Sequence, residues 1–315
     1  MLAPLTANAE LDAILQDARA FAAAARASNT RRAYAAQWRG FVAWCAAVGL
    51  RPLPAAPETV ALYVTALARE GLSPASIDVA LAALAKQHEA HALGSPCASP
   101  TVAAVRAGLR RTIGVAPRQA APLRVDELRA VITAIGADLL GQRDRALLLL
   151  GWSSAVRRST LVGFDVSDLV FTGDGLEILV RRSKTDQEGA GTWIGVPLAA
   201  SAAHCPVRAV RAWLDAAAIR TGPVFRPLRA GRVLEQRLSD RAVARVVQAR
   251  AAAVGLDVSR LSGHSLRAGF VTSAARAGKS ERAIMDQTGH RSVTIVRRYI
   301  RRAGLFEDNA AVGLL

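Results

Sequence analysis

The chain has 315 residues, 51% of them hydrophobic, which is enough for two domains that each bury a core. Its 41 Lys and Arg outnumber its 25 Asp and Glu, and the net charge of +16 points to a polyanionic partner, with nucleic acid as the default. The three cysteines, Cys45, Cys97 and Cys205, are widely spaced and form no CxxC pair, so they read as reduced thiols of a cytoplasmic protein rather than a disulfide framework or zinc site. The first ten residues lack a basic region followed by a long apolar run, and the apolar stretch 146–152 is far too short to span a bilayer, so no membrane segment is expected.

The charge is uneven. Residues 1–118 hold 12 basic and 7 acidic residues, and residues 119–315 hold 29 and 18. Arginine supplies all but Lys86, Lys184 and Lys279 of the basic residues. A coding bias accounts for Arg in place of Lys, but not for the shortage of acids.

Residues 1–115 read as helix after helix, a bundle of four or five. Leu11 to Ala25 is Ala-rich and amphipathic. Ser28, Asn29 and Thr30 offer N-cap chemistry for a helix through Ala47, closed by Gly49. Helices are then expected from Pro57 to Arg69, from Pro74 to near Gly94, and from Pro100 to Ile113 before Gly114. The two prolines of 115–123 mark a linker, placed at 116–122. The second domain, 123–315, is read as mixed α/β. It has a buried helix near 145–153, strands at 176–182 and 192–196 forming a small hairpin, and helices near 206–218, 239–253, 264–277 and 280–288. A further short helix carries Tyr299.

Chemistry concentrates in this second part. His264 and Arg267 stand three apart, which on a helix puts an imidazole and a guanidinium on one face. The planar fork of arginine matches two phosphate oxygens. HxxR is short enough for any surface helix to carry it, so it gains weight only in company. Gly289-His290 adds a second imidazole, followed nine residues later by Tyr299. The chain has three tyrosines, and Tyr299 is the only one beyond Tyr63. A tyrosine is more often a packed aromatic than a nucleophile. Arg297, Arg298, Arg301 and Arg302 around it are unusual company for a core residue. A phenol has a free pKa of about 10 and needs cations and a base to attack. Lys184 sits in a polar turn of a sequence that nearly always chooses Arg; unlike Arg it can give up a proton, as a general acid must. A solvated lysine at a hairpin tip explains it equally well on its own. Arg157 and Arg158 follow the buried helix.

Taken together, Arg157, Lys184, His264 with Arg267, His290 and Tyr299 resemble, in order and spacing, the tyrosine recombinase (phage integrase) family, closest in look to its simple Cre-type site-specific recombinases. The resemblance covers about 28–300. It implies a mainly α, two-domain fold, in which a SAM-like helical core-binding domain precedes a mixed α/β catalytic domain. It implies DNA cleavage and rejoining through a 3′-phosphotyrosine, without metal or ATP and with no cofactor. Tyr299 would be the nucleophile and Lys184 the general acid. Arg157, Arg267 and His290 would hold the non-bridging oxygens, and His264 would accept the phenol proton or add a phosphate ligand. The family usually carries an acid three residues after the first arginine, where this chain has Thr160.

The resemblance also implies double-stranded DNA with inverted half-sites as partner, dimers, and a tetrameric synapse. The apolar tail 304–315 fits docking on a neighbour or packing on its own domain. Arg31, Arg32, Lys86, Arg158, Arg241 and Arg298 are the candidate DNA contacts. The chain is placed in the cytoplasm, with the nucleoid when bound to DNA. It leaves little room for an extra arm-binding domain ahead of the bundle, so few accessory factors are expected. Two rivals remain: a type IB topoisomerase-like relaxing enzyme, and a DNA-binding regulator that has lost catalysis. A metal nuclease lacks its paired carboxylates.

Overall fold

The computed structural model describes residues 9–24, 28–114, 120–181, 191–290 and 292–303. The chain divides into two compact units, Met1–Arg118 and Gln119–Leu315.

The first unit holds α1 (Ala9–Ala24), α2 (Ser28–Val48), α3 (Pro57–Arg69), α4 (Pro74–Ala90) and α5 (Pro100–Ile113), with no strand among its described residues. Prolines open α3, α4 and α5, where the missing N–H is no loss. The Ser73 and Ser99 hydroxyls accept from the amides of Ser76 and Val102 at 3.2 and 3.3 Å and cap α4 and α5. Ser28, Asn29 and Thr30 form the first turn of α2 instead of preceding it. The α4 helix stops at Ala90, short of Gly94, because Ala92 turns to a φ of 55° and the amides of Ala92 and Leu93 bond back to Glu89 and His88.

Val60, Val64 and Leu67, at helical spacing on α3, meet Phe41, Ile77, Leu84 and Val102 in one buried core. Trp38, Phe41, Trp44 and Tyr63 pack ring on ring, with Phe41 and Tyr63 centroids 5.0 Å apart. His88 is fully buried beneath them. Its Nδ1 donates to the Leu84 carbonyl at 2.8 Å, and its Nε2 accepts the Ala55 amide at 3.0 Å.

The second unit begins with α6 (Val125–Ala134), α7 (Leu139–Ser153) and α8 (Arg158–Gly163). Strands β1 (Leu169–Phe171), β2 (Gly175–Val180) and β3 (Thr192–Pro197) form one antiparallel sheet, in which Ile178 faces Leu169 and Ile194. Then come α9 (Pro206–Ala216), the two-residue strands β4 (Leu228–Arg229) and β5 (Arg232–Val233), α10 (Asp240–Ala252), α11 (His264–Arg276), α12 (Glu281–Thr288) and α13 (Val293–Ala303). Strands β1, β4 and β5 are absent from the sequence reading; at two or three residues they are too short to show a period.

The core gathers the α7 leucines 147–150 with Trp213, Phe225, Val247 and Leu266. The end of the expected linker is woven into this unit: Ala121 donates its N–H to Arg260 at 2.8 Å, and buried Leu123 donates to Ser265 at 3.0 Å. Gly269 on α11 lies so close to the Leu123 carbonyl that a Cβ there would collide with backbone. The same carbonyl accepts the Trp152 indole N–H at 3.1 Å, which fixes α7 beside α11. Among the described residues no helix is long and apolar enough to cross a membrane.

Candidate active site: a phosphate-sized cationic pocket

Three helix ends converge on one pocket. Helix α7 stops at Ser153, and Ala155, fully buried, takes a φ of 51°. A non-glycine residue pays about 1 kcal/mol for that left-handed conformation. The turn aims the Ala155 carbonyl at Arg267 and delivers Arg157 to the start of α8 two residues later. Arg267 lies one turn into α11 and is only 6% exposed. Its Nη1 donates to Ala155 at 2.7 Å and to Thr288 at 2.5 Å, both through backbone carbonyls. Its Nη2 is buried and has no hydrogen-bond partner among the described residues.

Helix α12 supplies the third side. The Ser280 hydroxyl caps its start, accepting from Ala283 at 3.2 Å. Gly289, at φ 64° and ψ 35°, ends it in the left-handed conformation, with its amide on Met285 at 2.8 Å. Gln287 Nε2 donates to the carbonyls of Ser153 and Gly195 at 2.9 and 3.1 Å, tying α12 to α7 and β3. Beyond Gly289 the chain turns back, and His290 Nδ1 comes to 2.7 Å from the Thr288 hydroxyl.

The pocket so formed has a volume of about 320 Å³, and Arg157, Thr160, Arg267, Thr288 and His290 are in its wall. Among the described residues no carboxylate pairs with Arg157 or Arg267. Asp286 at the rim is exposed and faces Arg282 at 3.8 Å. Burial lowers the pKa of Arg157. Burial, then repulsion from Arg157, lowers Arg267 to about 10, against an opposing pull from Tyr299. His290 falls from 6.5 to about 4, through burial first and then Arg267, Arg157 and His264. Both arginines stay cationic at neutral pH while the imidazole is neutral. A small, half-closed pocket with two unneutralised guanidiniums and an orphaned buried donor is built to receive an anion.

The other candidate residues are distributed around it. His264 is the first residue of α11, exposed, and close enough for its charge to bear on His290. Tyr299, on α13, is half-buried against a small core of Val271, Ala274, Ile284 and Val296. Its phenol acts on Arg267 but is not part of the pocket wall. Lys184 and the tail 304–315 lie outside the described residues. Arg158 is exposed and pairs with Asp240 at 3.2 Å. Arg241 is exposed on α10. Arg298 falls on α13, and its side chain is outside the description.

On the first unit, exposed Arg31 and Arg32 lie on α2, and Lys86 on α4 pairs with Glu89 at 2.6 Å. Arg31 and Lys86 share one hollow with Tyr34 and Trp38. Sequence reasoning missed Ala155, Gln287 and Thr288. Two of them act through backbone carbonyls, which leave no mark on residue type.

Comparison with known proteins identifies the family. The sequence model of the phage integrase family matches residues 122–304. The integrase/recombinase xerD homolog of Selenomonas ruminantium is 38% identical over 290 residues, covering 90% of this chain and 85% of that protein. Recombinase cre of Escherichia phage P1 is 27% identical over 299 residues, covering 88% of this chain and 84% of its own. The solved structure of a lambda integrase (75–356) dimer bound to a COC′ core site has the same fold, with a TM-score of 0.61 at 20% identity over 94% of this chain and 95% of that one. The chain belongs to the phage integrase family, the tyrosine recombinases, enzymes that break and rejoin DNA.

Proposed function

We propose that the protein cleaves and rejoins DNA site-specifically through a 3′-phosphotyrosine intermediate, using neither metal nor ATP. The buried Nη2 of Arg267, unpartnered among the described residues, in a pocket where none of their carboxylates pairs with the arginines, carries this reading. A phosphodiester oxygen would complete it.

The Tyr299 oxygen attacks phosphorus, and the bond from phosphorus to the 5′ oxygen breaks. Lys184 protonates the departing 5′ oxygen to a hydroxyl, and His264 takes the phenol proton or adds a phosphate contact. Arg157 and Arg267, with His290, hold the non-bridging oxygens on which charge builds in the transition state. Attack on the phosphotyrosine by a 5′ hydroxyl of the partner strand reverses the step, so the bond energy is conserved.

The partner is double-stranded DNA with inverted half-sites, gripped by the first unit as a core-binding domain and by the catalytic domain. Arg31, Arg32, Lys86, Arg158, Arg241 and Arg298 serve as contacts. Lambda integrase was solved as a dimer on a core site and as a tetramer on a Holliday junction, which supports a dimer here and a tetrameric synapse. An apolar hollow of about 560 Å³, with Trp152, Phe270, Ala274 and Ile284 in its wall, is consistent with receiving the tail 304–315 of a neighbour. The protein works in the cytoplasm, on the nucleoid.

The test is a plasmid carrying two copies of a site selected from random DNA, incubated with the protein alone. Excision or inversion between the sites is expected. Relaxation without exchange would make it a topoisomerase, and binding without either a regulator. Lys184→Arg should bind the site as tightly and cleave it more slowly; equal cleavage would remove Lys184 as the acid.

A further inference from the structure

We propose that Thr288 is a positioning residue for His290: its hydroxyl oxygen accepts a hydrogen bond from Nδ1–H, which keeps the proton on Nδ1 and so leaves Nε2 as the bare nitrogen of the neutral ring. The hydroxyl has one proton to give. At 2.7 Å lies the carbonyl of Ile284, which can only accept, and a second carbonyl, Met285, lies at 3.4 Å. Two oxygens 2.7 Å apart with no proton between them repel, so the Thr288 proton points at Ile284. A lone pair of the same oxygen then faces His290 Nδ1, also at 2.7 Å. Nδ1 must therefore be the donor.

The rest of the surroundings agree. The groups that bear on the ring from other elements are Arg267 and His264 of α11 and Arg157 ahead of α8. Tyr299 of α13 acts on Arg267, and Asp286 of its own neighbourhood is exposed beside Arg282. Guanidiniums accept no hydrogen bond, so they offer a proton on Nε2 nothing to bind. His88 shows the same device within this chain, with Nδ1 on a carbonyl and Nε2 left as acceptor.

The consequence rests on the phosphotyrosine reading, although the tautomer does not. A neutral His290 of this form presents a phosphate oxygen with a lone pair instead of a hydrogen. It becomes a donor to phosphate only as imidazolium. Seating the scissile phosphate therefore draws one proton from solvent onto Nε2, and the phosphate charge stabilises it.

Long-range proton–nitrogen correlation on the free, ¹⁵N-histidine-labelled full chain tests this directly, since only five imidazoles must be resolved. His290 is expected to show a protonated Nδ1 and a bare Nε2 near neutral pH. Thr288→Ser should keep that signature and the cleavage rate. Thr288→Val should lose the fixed tautomer and cleave about tenfold more slowly, the weight of one hydrogen bond. A wild-type His290 protonated on Nε2 would overturn the proposal, as would an unchanged signature in Thr288→Val. If Thr288→Val fails to fold, the wild-type and Thr288→Ser spectra still decide. A correct tautomer in a protein that never cleaves DNA would sink the functional reading and leave the positioning role standing.

Discussion

The second unit holds two pairs of arginines, each with one member buried and one half-buried, and treats them in opposite ways. Arg143 and Arg250 close on Asp144, which is 3% exposed and accepts from both, at 2.6 and 2.7 Å from their Nη2 atoms. Every charge there has its partner, and the cluster ties α7 to α10. Arg157 and Arg267 share a pocket in which, among the described residues, no carboxylate pairs with them and one Arg267 nitrogen has no hydrogen-bond partner. Where the chain needs structure it pairs its cations with a carboxylate; cations left bare in a pocket fit the proposed phosphate site.

Substitutions sharpen that contrast. Removing the shared carboxylate with Asp144→Ala strands one buried and one partly buried guanidinium and should cost about 3 kcal/mol in urea unfolding. Arg267→Met removes an uncompensated charge instead. It should slow single-turnover cleavage about 10²–10³-fold, as loss of a transition-state donor does, while the melting temperature falls by less than in Asp144→Ala, since relief of the bare charge offsets the two carbonyl bonds lost. A melting temperature that falls as far as in Asp144→Ala would make Arg267 a structural residue and erase the distinction.

A smaller effect follows from pH. His290 protonates near 6.5 when unfolded but only at about 4 when folded. Between those values the unfolded chain binds more protons, so stability falls as pH falls from 6.5 towards 4. His290→Asn should lose less stability across that window in thermal melts. Smallest of all, Gly289→Ala forces a side chain into the left-handed C-cap and should cost about 1 kcal/mol.

Most of the helical frame could be read from residue types. Prolines at 57, 74 and 100 and glycines at 49, 71 and 114 mark helix ends by fixing or freeing φ, and the helices begin and stop there. The site was legible only as a set of side chains. Arg157, Arg267 and His290 announce themselves by chemistry, and the pocket brings these three together. What holds them does not. Ala155 adopts a positive φ with no glycine to betray it, and its carbonyl and that of Thr288 grip Arg267 in a way any residue type could. The Thr288 hydroxyl looks in sequence like one more helix-terminal threonine. Tertiary contacts between 155, 267 and 288 have no local signature.

The central claim is that this pocket presents a phosphate to Tyr299. Nicked suicide substrates built on the selected site, run with wild type and Tyr299→Phe on denaturing gels, test it most directly. The account predicts a covalent protein–DNA adduct with wild type alone, with the DNA remnant mapped to the peptide containing Tyr299. An adduct of equal yield with Tyr299→Phe, or tight specific binding with no adduct from either protein, would contradict it.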